Sequence, residues 1–158
     1  MLLSLDHLMM QEAIKQARVA QEKEEVPIGA VIAHQNRIIA KAHNQVEALK
    51  DPTAHAEMIA ITQATNFLST KWLQECSLYV TIEPCSMCAG ALVLARLGKL
   101  FFGASDPKAG ACGSVLNIVQ HAQLNHRMEV YRGVFEEECR QLLSQFFQKK
   151  RSGNVDQK

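Results

Sequence analysis

The chain has 158 residues, a length typical of one compact domain that buries a substantial core. Hydrophobic residues make up 47% and charged residues 21%, as in ordinary soluble globular proteins. The formal net charge of +1 gives no overall electrostatic case for a nucleic-acid partner. No apolar run is long enough to cross a bilayer, so the composition does not predict a membrane protein.

The N-terminal segment and the cysteines both predict a cytoplasmic protein. Met1, Leu2 and Leu3 lack a basic region and are soon followed by Asp6, unlike a secretory signal. Five cysteines, an odd number, argue against a disulfide framework in a chain without such a signal. We therefore expect a metal site to be the better explanation for some of the thiols.

The first part of the chain predicts a helix followed by a hairpin. Apolar residues recur at helical spacing over Asp6–Glu22. Two short β-rich runs, Ile28–His34 and Arg37–Ala42, then flank a Gln35-Asn36 turn.

The rest of the chain predicts alternating helices and strands. We expect, in order, a helix over Ala54–Thr65, a strand over Ser77–Ile82, a helix from Pro84 to Leu97, a strand over Lys99–Gly103, a loop over Ala104–Gly113, a short helix over Leu116–Val119, a strand over Glu129–Arg132 and a helix over Phe135–Lys150. The alternation predicts a three-layer α/β/α sandwich in which helices flank a central mixed sheet of about five strands. Without linkers or repeats, residues 1–158 are expected to form a single domain, with 149–158 as a basic tail.

The helix that ends near Leu97 predicts an oligomer. Its residues from Met87 onward leave almost no polar face, which is typical of a helix buried on all sides. A domain of this size has little material to cover such a helix. We therefore expect a homodimer in which a second subunit covers it.

Two short segments carry possible metal ligands, His55-Ala56-Glu57 and Pro84-Cys85-Ser86-Met87-Cys88. Each is predicted at the start of a helix. Cys85 and Cys88 are three positions apart, so both sulfurs can reach one metal ion. The positive end of the helix favours the thiolates that zinc needs, and His55 supplies an imidazole nitrogen.

His55, Cys85 and Cys88 make three ligands, and this number predicts a catalytic site. Structural zinc normally has four protein ligands, whereas catalytic zinc has three and a water. Zinc lowers the pKa of a bound water from about 15.7 to about 7. Glu57, which taken alone could be an ordinary first-turn helix acid, is placed to accept the water's proton and return it to a leaving group.

The combined pattern H-x-E…P-C-x-x-C is the signature of zinc nucleobase deaminases. It favours a hydrolytic deamination in which Glu57 protonates the ring nitrogen and then the departing amine, which leaves as ammonia. Backbone N–H groups near Cys85 could stabilise the attacking oxygen. Taken alone, Cys85 and Cys88 could instead be a redox pair or half of a structural zinc site.

Beyond the zinc signature, the sequence resembles the bacterial tRNA adenosine deaminase family (TadA type) of the cytidine-deaminase-like superfamily. The similarity extends from about residue 9 to residue 151. The matching segments are Val26-Pro27-Ile28-Gly29-Ala30-Val31, His43-Asn44, Thr53-Ala54-His55-Ala56-Glu57, Tyr79-Val80-Thr81-Ile82-Glu83-Pro84-Cys85, Met87-Cys88-Ala89-Gly90-Ala91, Phe102-Gly103-Ala104, Asp106, Lys108-Ala109-Gly110-Ala111, Asn125-His126-Arg127 and Leu142-Leu143-Ser144-Gln145-Phe146-Phe147.

This resemblance implies conversion of adenosine to inosine at the wobble position of a tRNA anticodon, by a homodimer with one Zn²⁺ per subunit. It implies that Asn44 reads the flipped base between Ile28 and Ile82 as apolar walls. Asp106 and Lys108 match a loop that contacts the nucleotides beside the target.

The resemblance also implies two further RNA contacts. Asn125 matches one of them. The other is the basic cluster of Lys149, Lys150 and Arg151, which taken alone would be a solvated helix end. The resemblance implies that these side chains contact phosphates of the anticodon stem-loop. Ser105 and Pro107 stand where some members of the family have arginine and alanine.

Three alternatives remain open from the residues alone. The first is a deaminase of a small free base or nucleoside, of guanine or cytosine type, because the zinc chemistry would be the same. The second is an inactive RNA-binding subunit with structural zinc, against which Glu57 argues. The third is a redox protein that uses Cys85 and Cys88.

Overall fold

The computed structural model describes residues 3–155, with side chains described for residues 3–153. Within this part of the chain five helices and five strands follow one another. The helices are α1 (Leu5–Glu22), α2 (Val46–Leu49), α3 (Ala56–Leu68), α4 (Ser86–Leu94) and α5 (Glu136–Val155). The strands are β1 (Gly29–His34), β2 (Arg37–His43), β3 (Cys76–Ile82), β4 (Lys99–Ala104) and β5 (Glu129–Arg132). Met1, Leu2 and the last three residues of the predicted tail, 156–158, lie outside the described residues.

All five strands form one mixed sheet with the order β2-β1-β3-β4-β5. The first two strands form the predicted hairpin, and its turn residues Gln35 and Asn36 both have positive φ, at 50° and 63°. Turns of this kind match the twist of the strands that they join. Strand β1 pairs antiparallel with β3, whereas β3, β4 and β5 run parallel to one another.

Helices cover both faces of the sheet and make the predicted three-layer sandwich. Because side chains alternate along a strand, neighbouring residues of β1 serve different cores. Val31 packs with Tyr79 and Phe101 against α1 and α5, whereas Ile32 packs with the alanines of α3 and with α4. The cytidine-deaminase-like α/β architecture predicted from the sequence is confirmed.

Two of the sequence predictions are wrong in detail. Residues 116–119 form no helix, because the backbone of this segment pairs with the preceding loop: Cys112 bridges to Asn117, and Ile118 N–H donates to Ala111 O at 2.9 Å. Pro84 lies outside α4, which begins only at Ser86 and ends at Leu94. The short helix α2, over Val46–Leu49, was not predicted.

Helix α4 is buried on one side only within a single chain. Cys88, Ala89 and Leu92 face the core, but Leu94 is 79% exposed on the other side. The complete burial predicted from the sequence is therefore not reached within one subunit. No helix among residues 3–155 is both long enough and apolar enough to span a membrane.

Candidate active site and metal centre

The candidate site lies at the carboxyl ends of the parallel strands β3 and β4. Ile82 pairs with Ala104, and the next residue, Glu83, donates its N–H to Ala104 O at 2.8 Å. The chain leaves both strands here and enters α4 after β3 and a loop after β4. Open α/β sheets place ligands at this edge, where the connections separate.

The N-termini of two helices position the three predicted metal ligands. His55 is the N-cap residue of α3, Cys85 is the N-cap residue of α4, and Cys88 lies on the first turn of α4. Neither N-cap side chain makes a capping hydrogen bond to its helix. The partial positive charge at the helix ends favours thiolate ligands.

The spacing of these three side chains fits zinc. His55 Nδ1 lies 3.6 Å from Cys85 Sγ and 3.5 Å from Cys88 Sγ. Zinc bonds of ordinary length at a tetrahedral angle would place nitrogen and sulfur about 3.6 Å apart. In the described part of the chain, this is the one group of at least three histidine, cysteine or acidic side chains with metal-site spacing.

The pKa values of the two thiols are shifted in opposite directions. Hydrogen bonds from Cys88 and then from His55 lower the pKa of Cys85 to about 3. The pKa of Cys88 is raised, first by its hydrogen bond to Cys85 and then by its burial. The hydrogen bond to Cys85 also raises the pKa of His55. The surroundings of Cys85 thus favour its thiolate, the form that binds a metal ion.

Glu57 is a buried carboxyl group beside this cluster. It is 2% exposed, and its Oε1 atom has no hydrogen-bond partner. Burial raises its pKa, because the charged form loses its hydration. A buried oxygen without a partner is costly, so its retention beside the His-Cys-Cys cluster points to a functional group.

Asn44 lies next to His55, and a backbone hydrogen bond sets the orientation of its side-chain amide. Its Oδ1 accepts the N–H of Ala56 at 2.8 Å, at the start of α3. Since a donor meets Oδ1, the Nδ2 group is the side that remains for a ligand. Asn44 and His55 both line a cavity of about 310 Å³, together with Ile28, Phe146 and Lys150.

A larger groove of about 810 Å³ adjoins this cavity, since Val26, Ile28 and Lys150 line both. The groove runs between the loop after β4 and helix α5. It brings together the other predicted contact residues Ile82, Asp106, Lys108 and Arg151. Four of its lining side chains are basic and one is acidic: Lys108, Arg140, Lys150 and Arg151 against Asp106.

Asn125 and Lys149 are not brought to this groove within one subunit. Asn125 is exposed in the loop before β5, at the opposite end of β4 from the metal cluster, and its neighbour His126 contacts Leu97 O through Nε2 at 2.6 Å. Lys149 lies on α5 but lines neither the cavity nor the groove.

Sequence reasoning missed three residues of the site. Phe146 was left without a role, but it lines the cavity rather than the core. Glu25 and Glu83 are buried acids that accept backbone N–H groups beside the site. Glu25 accepts them from helix α2, and Glu83 accepts one from Cys112 in the loop after β4. For Glu83 a signal was available, since it stands between Ile82 at a strand end and Pro84, where a solvated acid is not expected. Glu25 follows Lys23 and Glu24 and carries no such signal.

Comparison with known proteins agrees with this site. The family model described as MafB19-like deaminase matches residues 5–151. The tRNA-specific adenosine deaminase of Bacillus subtilis strain 168 is 52% identical over 146 residues, which cover 92% of this chain and 91% of that protein.

Two solved structures share the fold. A structure from a study of A-to-I editing by tRNA:A34 deaminases has a TM-score of 0.83 and 42% identity, and covers 86% of this chain and 99% of its own. A guanine deaminase from Bacillus subtilis has a TM-score of 0.61 and 37% identity, and covers 68% of this chain and 69% of its own.

The sandwich, the His-Cys-Cys cluster and the buried Glu57 define the class of protein as a cytidine-deaminase-like hydrolytic deaminase. Within this class, the extent of the similarity separates the tRNA enzymes from the guanine enzyme. The chain belongs to the tRNA-specific adenosine deaminase family.

Proposed function

We propose that the chain is a zinc-dependent tRNA adenosine deaminase that converts adenosine at wobble position 34 of an anticodon into inosine and ammonia. The observation that carries this proposal is Glu57: a buried, unpaired carboxyl oxygen beside a three-ligand metal cluster, next to a cavity that opens into a basic groove. We treat residues 1–158 as one domain that acts on cytoplasmic tRNA.

Zinc is the proposed metal, held by His55, Cys85 and Cys88. When bound, zinc makes water a nucleophile at neutral pH by lowering its pKa to about 7. Three protein ligands leave room for that water, whereas a fourth protein ligand would exclude it.

Glu57 moves the protons in the proposed reaction. Its carboxylate accepts one proton from the attacking water and delivers it to the ring nitrogen beside the reacting carbon. It then accepts the remaining proton from the new C–OH group and delivers it to the departing amine. A raised pKa suits this exchange, because a carboxyl group with an ordinary pKa holds a proton poorly at neutral pH. Water and adenosine are thereby converted into inosine and ammonia, with no other reactant.

The small cavity is proposed to bind the flipped base. The Nδ2 group of Asn44 donates to an acceptor on the base, while Ile28 and Ile82 pack against its faces. Enzymes that modify a base must remove it from its stack, and a single-stranded anticodon loop lowers that cost. Phe146 gives the cavity an aromatic side.

The groove is proposed to bind the nucleotides around the target. Lys108, Lys150 and Arg151 face RNA phosphates, and Asp106 contacts a flanking nucleotide. The net positive lining supports an anionic polymer over a free base, because a free base has no phosphate to bind. This is the observation that favours tRNA over the guanine-type alternative.

A homodimer is proposed from the outer side of α4. Leu94 and Ala91 line a shallow depression with Ile61 of α3, which a second copy would cover. Asn125 and Lys149 do not line the groove of their own subunit, so we propose that any RNA contact they make is with a distant part of the substrate or from the partner's side. Leu94→Glu should convert a dimer into monomers in analytical ultracentrifugation, and a wild-type monomer would contradict the proposal.

The reaction is tested with a tRNA that carries adenosine at position 34. Purified zinc-loaded protein should produce inosine, detected by nucleoside analysis, and Glu57→Gln should not. A matched tRNA with guanosine at that position controls for editing elsewhere. Ammonia release from free guanine or cytidine, without inosine in tRNA, would favour the small-substrate alternative instead.

A further inference from the structure

Glu83 is a second buried carboxyl group next to the metal centre, and the proposed reaction does not use it. It stands between the end of β3 and Pro84, and it is 2% exposed. The salt bridges found among the described residues do not include it. A buried charge without a counter-ion requires strong hydrogen bonding.

Four hydrogen bonds, all from the loop after β4, meet the Glu83 carboxylate. Its Oε1 accepts from Asp106 N–H at 3.1 Å and from the Ser114 hydroxyl. Its Oε2 accepts from Cys112 N–H at 2.9 Å and from Ser114 N–H at 3.1 Å. One side chain thereby holds both ends of the loop over 106–114, which we call the Asp106 loop.

The Asp106 loop also touches the segment that carries a metal ligand. Ala111 N–H donates to Pro84 O at 2.9 Å, and Gly110 forms an antiparallel bridge with Cys85. Gly110 allows this approach, because a Cβ atom there would lie 2.3 Å from Glu83 Cδ. The loop and Cys85 are therefore packed around a single carboxylate.

The same loop forms one wall of the basic groove. Asp106 and Lys108 both line it. Asp106 Oδ1 accepts the N–H groups of Lys108 and Ala109 at 3.0 and 3.1 Å, so the side chain of Asp106 is fixed by its own turn. The placement of that turn depends in part on the bond between Asp106 N–H and Glu83.

We propose that Glu83 is a positioning residue that holds the Asp106 loop at a fixed distance from the metal centre. RNA bound to this loop then has its reacting base aligned with the metal centre. The identity of the substrate rests on the proposed function, whereas the hydrogen bonds between Glu83 and the Asp106 loop do not. Glu83 touches neither the base nor the metal in this proposal. Its effect is on substrate binding rather than on the chemical step.

Glu83→Gln tests the proposal, because an amide cannot accept at both of its terminal atoms. With its amide nitrogen at the Oε1 position, the Ser114 hydroxyl can reorient to accept, but Asp106 N–H is left without an acceptor. We expect KM for an anticodon stem-loop to rise about tenfold while kcat changes by less than about threefold. Hydrogen exchange at Asp106 N–H should accelerate about tenfold.

Two variants that keep Glu83 complete the test: Gly110→Ala is a second way to disturb the carboxylate, and Ser114→Ala is the mild control. Gly110→Ala pushes on the carboxylate and should reproduce the rise in KM and the faster exchange. Ser114→Ala removes only the hydroxyl donor and leaves the three backbone bonds, so its effect on KM should be no more than about threefold. If Glu83→Gln does not fold, Gly110→Ala still decides the outcome.

The exchange measurement separates failure of this proposal from failure of the proposed function. Unchanged exchange at Asp106, Cys112 and Ser114 in Glu83→Gln overturns the positioning role, even if the wild type makes inosine. Equal acceleration in strand β1, for example at Ile32, would mark a general folding role and would also overturn it. Absence of inosine with the wild type overturns the proposed function, while the exchange result still tests Glu83.

Discussion

Two buried glutamates lie beside the same candidate metal centre and have opposite surroundings. Glu57 and Glu83 are equally hidden from solvent, at 2% exposure each. Oε1 of Glu57 has no partner, and burial raises the pKa of this group. For Glu83, burial also opposes the charge, but hydrogen bonds from Ser114, Cys112 and Asp106 outweigh it and lower the pKa.

The difference teaches that burial alone does not mark a reactive acid. A carboxylate whose lone pairs are all engaged is stabilised in one protonation state and serves as an anchor. A carboxyl group with an unpaired oxygen can exchange its proton, and its instability is tolerated where chemistry needs it. The surroundings of Glu57 therefore suit the proposed proton transfer, and those of Glu83 suit the proposed positioning role.

Metal removal should have the largest effect and should act on the Glu57 side alone. Treatment with a strong chelator should abolish inosine formation, and added zinc should restore it, because the activated water depends on the metal. The Glu83 network needs no metal, so amide protection at Cys112 and Ser114 should persist in the metal-free protein. Loss of that protection on chelation would show that the two sides are not separate.

Glu57→Gln should have the next largest effect. General acid–base catalysis contributes about 10²–10⁴-fold, so kcat should fall within that range while zinc content stays near one per chain. The unfolding free energy of the metal-free protein should change by less than about 1 kcal/mol, since no hydrogen bond to Oε1 is lost. Single-turnover kinetics and chemical denaturation measure the two quantities, and a large loss of stability would assign Glu57 to the fold.

Glu83→Gln should show the reverse pattern, a loss of stability with little loss of kcat. Leaving a buried donor unpaired costs about 1–3 kcal/mol, so the unfolding free energy should fall by about that amount at saturating zinc. The zinc content should stay near that of the wild type, because His55, Cys85 and Cys88 are intact. Urea denaturation with metal analysis checks this result, and a kcat loss as large as that of Glu57→Gln would erase the distinction between the two acids.

Lys150→Gln should have the smallest effect, and it tests the cavity that Asn44 and His55 line. Lys150 lines both the cavity and the groove, whereas Lys149 lines neither. Removing one phosphate contact should weaken tRNA binding about three- to tenfold at moderate salt and reduce the salt slope by about one. Lys149→Gln is the matched control, and an equal loss in both variants would indicate a diffuse charge effect.

The alternation of strands and helices was enough to predict the sandwich. Each strand was predicted within two residues of its observed bounds, because strands buried on one or both faces have distinct apolar patterns. The sequence also predicted that His55, Cys85 and Cys88 come together, because His-x-Glu and Pro-Cys-x-x-Cys form a recognisable joint pattern, and the three side chains do lie within metal-site spacing.

The predictions failed where a distant partner decides the local structure. Helix α2 has four residues, and two of them, Glu47 and Ala48, donate their N–H groups to the carboxylate of Glu25, which lies 22 and 23 residues away. The segment 116–119 pairs with residues of the preceding loop instead of forming a helical turn. Neither partner can be recognised from spacing along the chain.

The amino-acid sequence by itself determined the class of fold and pointed to the His-Cys-Cys cluster and to Glu57 as the proposed proton carrier, because the fold depends on periodicity and the two motifs depend on short spacings. Only the tertiary structure decided which acid is anchored, which basic residues reach the groove and where Asn125 lies. Those properties depend on which backbone donors meet a side chain across the sheet edge. Such contacts join residues tens of positions apart and leave no periodic trace in the sequence.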